Sequence, residues 1–211
     1  MKLYDITRTL TPAMAVWPGD APVSFRWIAR IQDGDPVNVS TLTFSAHAGT
    51  HADAHYHYDE AGLRLDQMPL EVFLGPATVV ALEVQGPILP EHLAGLDLAR
   101  VERLLVKTAA SQRRDEEWHS DFPFLAPETA RLLAQSGLRL FGTDAPSVDP
   151  QESQTMEAHL LLNRGPVAIL ENLLLRDVPP GRYELIALPL KAPVDGSPVR
   201  AVLREVSQEA G

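Results

Sequence analysis

The stretch His47-Ala-Gly-Thr-His51-Ala-Asp53-Ala-His55-Tyr-His57 holds four of the seven histidines in the chain, with a carboxylate among them. Neutral imidazole and carboxylate are the usual ligands of a catalytic zinc or manganese ion. A strand alternates its side chains, so His51 and Asp53 can face the same way. Gly49 allows the backbone to fold tightly between His47 and His51. Three ligand-type residues in one short segment, with a position left for water, match a catalytic metal site better than a structural one. Packing alone explains this trio poorly. Isolated histidines such as His92 and His119 carry no such weight.

The elements around the motif form a punctuated chain. Residues 3–7 read as a short strand and residues 11–22 as a Pro/Gly-rich loop carrying Trp17. Residues 23–31 and 37–46 read as strands joined by the Asp33-Gly-Asp-Pro36 turn, with the motif directly after the second. A helical turn is expected at 69–74, a strand at 77–84 and a short helix at 90–94. A buried strand follows at 103–108, and then a polar loop at 109–121. Residues 126–135 read as a helix with Pro127 in its first turn and Gly137 beyond its end. Strands are expected at 138–141 and 167–170, the latter ending at Glu171. Between them a helix over 153–163 carries His159, with Gly165 after it. Strands at 183–189 and 199–206 close the chain. Strands mixed with few helices, without regular βαβ alternation, argue for α+β.

Composition narrows the function. The chain has 211 residues, 45% hydrophobic and 22% charged, which suits one large domain (1–211) with a full core. Its formal net charge of −10 argues against a nucleic-acid partner. With no cysteine there is no disulfide and no thiolate metal site. The N-terminus lacks the apolar region of a signal peptide and no apolar run is long enough to span a membrane, so a cytoplasmic location is expected. No Gly-x-Ser-x-Gly, His-Glu-x-x-His, P-loop or Gly-x-Gly-x-x-Gly pattern is present.

The pattern His-x-Gly-Thr-His-x-Asp-x-x-x-His resembles the signature of the metal-dependent cyclase-like hydrolases, and within them the bacterial kynurenine formamidases (arylformamidases). The resemblance covers nearly the whole chain. It takes in Val16-Trp-Pro-Gly-Asp20, Phe141-Gly-Thr-Asp-Ala-Pro-Ser-Val-Asp-Pro150, His159, Ile169-Leu-Glu-Asn-Leu173, Leu188-Pro-Leu-Lys191 and Ser197-Pro-Val-Arg-Ala-Val202. It implies one domain with a β-barrel-like mixed-sheet core and peripheral helices (cyclase-like, swivelling β/β/α type). It implies two divalent ions, zinc or else manganese: His47, His51 and Asp53 on one, His159 on the other, Asp53 and Glu171 bridging. Four positive charges would then face three negative ones from Asp53, Glu171 and a hydroxide, a near balance.

On the same resemblance, His57 is the general acid/base and Trp17 holds the substrate ring. The implied reaction is hydrolysis of N-formyl-L-kynurenine to L-kynurenine and formate, in tryptophan degradation, by a homodimer or higher oligomer. A formanilide is a poor electrophile and water a poor nucleophile, and a divalent ion lowers the pKa of its water from 15.7 toward about 7. The alternatives are an isatin hydrolase-like amidohydrolase of the same family, or a non-catalytic metal- or small-molecule-binding module. His57 tells against the module, which needs no acid/base beside its ligands. From the residues alone, Trp17 also fits a packed core indole, and Asp144 and Ser147 fit turn-shaping roles or support of a ligand. The family usually has proline at the position of His55, so this chain places an extra imidazole beside the ligands.

Overall fold

Arg103-Leu-Leu-Val-Lys107 and Ala168-Ile-Leu-Glu171 are short apolar runs of the kind that are buried on both faces in parallel strands. They form the middle of the sheet in the computed structural model, which describes residues 1–206. In chain order the strands are β1 (Leu3–Asp5), β2 (Ser24–Ala29), β3 (Val39–Thr43), β4 (His51–Asp53), β5 (Leu74–Ala81), β6 (Pro87–Ile88) and β7 (Arg103–Lys107). They continue as β8 (Phe124–Leu125), β9 (Leu140–Thr143), β10 (Ala168–Glu171), β11 (Gly181–Ile186), β12 (Gly196–Pro198) and β13 (Val202–Glu205). The helices are α1 (Pro127–Gln135) and α2 (Glu157–Asn163).

Nine strands form one mixed sheet in the order β1-β13-β11-β5-β7-β9-β10-β4-β12. The joints β5–β7, β7–β9 and β9–β10 are parallel, and antiparallel joints flank them. The sheet curls into a half-barrel. Just past β1, the Ile6 amide donates to the Ala201 carbonyl, the Ile6 carbonyl accepts from Leu174, and the Arg8 amide donates to Thr50 Oγ1. This irregular segment therefore ties the β13 side of the curl to the approach to β4.

Alternation along the strands divides the core in two. Leu105, Leu140 and Leu170 point into the curl with Phe73, Leu185 and Leu203. Leu104, Val106, Phe141 and Ile169 point the other way, onto Ala130 and Leu133 of α1 and Leu161 and Leu162 of α2. Burying large aliphatic side chains on both faces gives about 1.5–3 kcal/mol each. That makes these strands a stiff platform.

The expected hairpin forms as β2 and β3, apart from the main sheet and exposed along nearly its whole length. The turns expected near residues 70 and 90 are 3-10 turns, Leu70–Val72 and Pro90–Leu93. The strand expected at 77–84 runs earlier, Leu74–Ala81, because its register is set by β11 and β7. The strand expected at 183–189 runs Gly181–Ile186, and the one expected at 199–206 is shorter, Val202–Glu205, with β12 just before it. The helix expected from residue 153 begins at Glu157. Met156 is left-handed at φ 49° and ends the helix there, while Asp149 accepts from the Ala158 and His159 amides in its first turn.

Gly165 does not act as a left-handed helix cap. A Cβ there would lie 2.2 Å from the Ala134 carbonyl oxygen, so its missing side chain lets the end of α2 approach α1. Gly165→Ala is expected to destabilise the fold by about 1–3 kcal/mol, the usual cost of overpacking. It should appear as a lower urea midpoint at unchanged slope. An unchanged midpoint would mean that the helices separate without cost.

Candidate metal centre and active site

The pairing of β4 with β10 builds the site. Their antiparallel register sets Asp53 opposite Ile169, Ala52 opposite Leu170 and His51 opposite Glu171. Paired residues share a face, so His51, Asp53 and Glu171 project to the helix side while Ala52 and Leu170 enter the core. His159 arrives on that same face from α2, and His47 from the turn before β4. Gly49 makes this turn at φ 62°, where an added Cβ would lie 2.8 Å from Leu10. The Gly49 carbonyl holds His51 through Nδ1 at 3.0 Å.

The resulting groups share Asp53. His47, His51 and Asp53 form one set and Asp53, His159 and Glu171 another, each with ligand atoms within 4.8 Å of one another. His51, Asp53, His159 and Glu171 are 1–4% exposed. His51 Nε2 lies 3.3 Å from Asp53 Oδ1 and 3.4 Å from Glu171 Oε2. His159 Nε2 lies 3.5 Å from both Asp53 Oδ2 and Glu171 Oε1. These gaps are wide for hydrogen bonds. They are close to the roughly 3.3 Å between ligand atoms that bonds of about 2.0–2.1 Å give around a tetrahedral ion. Moreover, His51 Nε2 and Asp53 Oδ2 are buried with no hydrogen-bond partner among the described residues. Buried polar atoms are rarely left so. The residues present therefore fit a divalent-ion centre, and imidazole with carboxylate suits zinc or manganese.

Two aspartates that carried no assigned role in the sequence complete the arrangement. Asp149 Oδ2 bonds His159 Nδ1 at 2.7 Å, which fixes the ring with Nε2 toward Asp53 and Glu171. Asp195 Oδ2 bonds His47 Nε2 at 2.9 Å and stands 3.5 Å from His57 Nδ1, so His47, His57 and Asp195 form a third group of ligand type. Asp149 sits ten residues before His159, and Asp195 becomes a neighbour only because β12 pairs with β4. Neither spacing is a local signal. Asp144 serves elsewhere: it accepts from the amides and hydroxyls of Thr108 and Ser111, tying the end of β7 to β9. Ser147 accepts from the Asp149 amide at 3.2 Å and lines the cavity beside the cluster.

His57 is the most open of the histidines in this cluster, its side chain 29% exposed, with its ring 4.0 Å from that of His47. His55 belongs to none of the ligand groups. It begins a one-turn 3-10 helix after an extended Ala54, a position that suits proline as well. Trp17 lines the same cavity as the cluster, and its ring meets Trp118 edge-on at 5.2 Å. Trp118 is fixed in turn by Gln151 at 2.8 Å.

The charges are strongly coupled. Burial alone would push His47 down, but Asp195 and Asp53 override it and hold it at about 9. Burial is overridden likewise at His51, which Asp53 and Glu171 hold at about 10. His159 is also raised, against burial, by Asp149, Asp53 and Glu171. Burial acts to raise Asp53, yet His159, His47 and His51 keep it well below the usual carboxylate range. His57 differs: burial lowers it, so it is neutral at pH 7.

Without an ion, protonated imidazoles thus supply the positive charge. That stabilisation is full below about pH 6.5 and is lost as pH rises through about 9–10. Ion binding must expel these protons, so ion affinity should rise with pH between 6 and 8. Calorimetric titration of zinc in buffers of different ionisation enthalpy should show release of at least about two protons per chain. Binding with no buffer dependence would show that His47 and His51 are not ligands.

Comparison with known proteins identifies the family. Residues 4–150 match the model of the family named Cyclase, described as "Putative cyclase". A kynurenine formamidase from Salinibacter ruber (strain DSM 13855 / M31) is 48% identical over 208 residues, 97% of this chain and 98% of that protein. A structure described as a predicted metal-dependent hydrolase from Bacillus stearothermophilus superposes with TM-score 0.83 at 32% identity, over 96% of this chain and 97% of that one. Isatin hydrolase A from Labrenzia aggregata, bound to benzyl benzoate, gives TM-score 0.84 at 27% identity, over 96% and 93%. With its motif on β4 and its carboxylates and imidazoles converging from four separate segments, the chain belongs to the Cyclase family, the metal-dependent cyclase-like hydrolases.

Proposed function

We propose that this hydrolase converts N-formyl-L-kynurenine to L-kynurenine and formate, the tryptophan-degrading reaction of an arylformamidase. The observation that carries the reading is one cavity of about 390 Å³ whose lining includes Trp17 together with His47, His51, His57, His159 and Glu171. An indole and a carboxylate–imidazole cluster in one cavity suit an aryl amide. The extent of the similarity to the Salinibacter ruber formamidase supports the same substrate.

Two zinc ions per chain are the proposed cofactors, with manganese as the alternative. His47, His51 and Asp53 would hold one ion, and Asp53, His159 and Glu171 the other. When bound, such ions lower the pKa of water and polarise a carbonyl. The protein residues supply the rest. Trp17 stacks on the substrate ring in an offset or edge-on geometry and sets the formyl group over the cluster. His57, neutral at pH 7, takes a proton from the attacking water and returns it to the departing aryl nitrogen. Asp195 holds His47 and faces His57, while Asp149 keeps His159 in one tautomer.

The whole chain would act as one catalytic domain, and a homodimer is the proposed assembly. Phe25, Trp27, Ile28, Val39 and Leu42 of the β2–β3 hairpin are 41–55% exposed, an apolar ribbon of the kind a second copy covers. A cytoplasmic location is proposed too; among the described residues no helix is long and apolar enough to cross a membrane.

Metal-loaded protein should release kynurenine from N-formyl-L-kynurenine in an ultraviolet assay, with about two ions per chain by elemental analysis. Isatin opening without kynurenine release would replace this reading with a cyclic-amide hydrolase. His57→Ala should keep both ions and lose about 10²–10⁴-fold in turnover. If it loses an ion together with activity, His57 is a ligand and another group moves the proton.

A further inference from the structure

We infer that Asp20 recognises the α-ammonium group of the substrate and makes this hydrolase selective for arylformamides that carry a cationic amino group. The inference rests on the formamidase reading above and assigns the end of the substrate that the metal cluster does not touch.

Asp20 and Trp17 are the two ends of one turn, closed by the Asp20 amide donating to the Trp17 carbonyl at 2.9 Å. Both line the cavity that contains the cluster. A residue that holds the aromatic ring and one that holds the amino-acid end are thus presented by the same four residues. The carboxylate is fixed in place. Ser45 Oγ donates to Asp20 Oδ2 at 2.6 Å, and the His47 amide donates to Ser45 Oγ at 3.3 Å. The substrate turn is thereby tied to the loop that carries the first ligand. Oδ1 remains as an acceptor, with no hydrogen bond to it among the described residues.

Charge makes the assignment specific. The other ionisable residues lining the cavity, His47, His51, His57, His159 and Glu171, all belong to the cluster. Asp20 is the anion that stands outside it. Among the described residues that line the cavity there is no lysine or arginine. An ammonium group entering this partly enclosed space needs a partner, and a hydrogen bond to a carboxylate is among the stronger ones. The α-carboxylate meets no lysine or arginine among the described residues that line the cavity.

The test compares two substrates in metal-loaded wild-type protein and in Asp20→Asn. One is N-formyl-L-kynurenine. The other is its deamino analogue, 4-(2-formamidophenyl)-4-oxobutanoate, which keeps the ring, the ketone and the carboxylate. Wild type should show a KM about tenfold to a hundredfold lower for formylkynurenine, the range expected of a charge-assisted hydrogen bond. Asp20→Asn should raise the formylkynurenine KM toward that of the analogue, keep kcat within about twofold, and leave the analogue KM unchanged or lower. Equal wild-type KM values would overturn the assignment without need of the variant. A KM raised for both substrates in Asp20→Asn would show that Asp20 only shapes the turn. If wild type cleaves neither compound, the formamidase reading itself fails and the assignment falls with it. Cleavage of both with equal KM removes Asp20 alone.

Discussion

Asp53 and Glu171 are two carboxylates buried together on one face of two paired strands, and that concentration of negative charge constrains the rest of the structure. Burial opposes the charged form of each, and Asp53 further opposes the ionisation of Glu171. Removing one such ion from water costs several kcal/mol even after relaxation. The cost is tolerable only with positive charge close by. His51 and His159 each reach both carboxylates, and His47 reaches Asp53. Protonated imidazoles satisfy this need without an ion. Divalent ions would satisfy it as well, with those imidazoles deprotonated. The same electrostatics that makes these buried carboxylates tolerable would make ion binding compete with protons.

Much of this was legible in the sequence because it is local. The spacing of His51 and Asp53 implies a common face through strand alternation, and β4 places them so. The apolar runs around Arg103 and Ala168 indicate buried strands, and the short helix after Pro127 is marked by that proline. Assigning His159 and Glu171 needed the family resemblance, since a lone helical histidine or a strand-end glutamate also fits a bland role. The geometry now supplies a physical reason. Glu171 faces His51 because β10 pairs antiparallel with β4, a relation between segments more than a hundred residues apart.

What stayed illegible is non-local for the same reason. Asp149 bonds His159 across a turn whose shape depends on the left-handed Met156, a conformation that a methionine does not advertise. Asp195 reaches His47 only through the pairing of β12 with β4. Asp144 illustrates the opposite error. An aspartate after a strand in a Gly-Thr-Asp-Ala-Pro turn suggests a turn-shaping bond, yet its carboxylate serves Thr108 and Ser111 at the end of a neighbouring parallel strand. Sequence distance hides such contacts; strand order determines them.

The cluster and the walls of its cavity stand on different parts of the fold. His51, Asp53 and Glu171 stand on strands packed on both faces, and His159 on a helix pressed against one of those faces. Small changes there would disturb ligand distances and charge balance together. The cavity walls instead come from connecting segments, including the turn with Trp17 and Asp20 and the irregular stretch from Pro146 to Met156. Loops tolerate replacement more readily than packed strands, but within the second stretch Val148 and Asp149 hold Glu171 and His159. Side chains such as Trp17, Asp20, Gln151 and Gln154 on these segments line the cavity without standing on the strands and helix that carry the cluster. The cluster thus stands on the elements that carry most of the buried core, and much of the cavity wall around it does not.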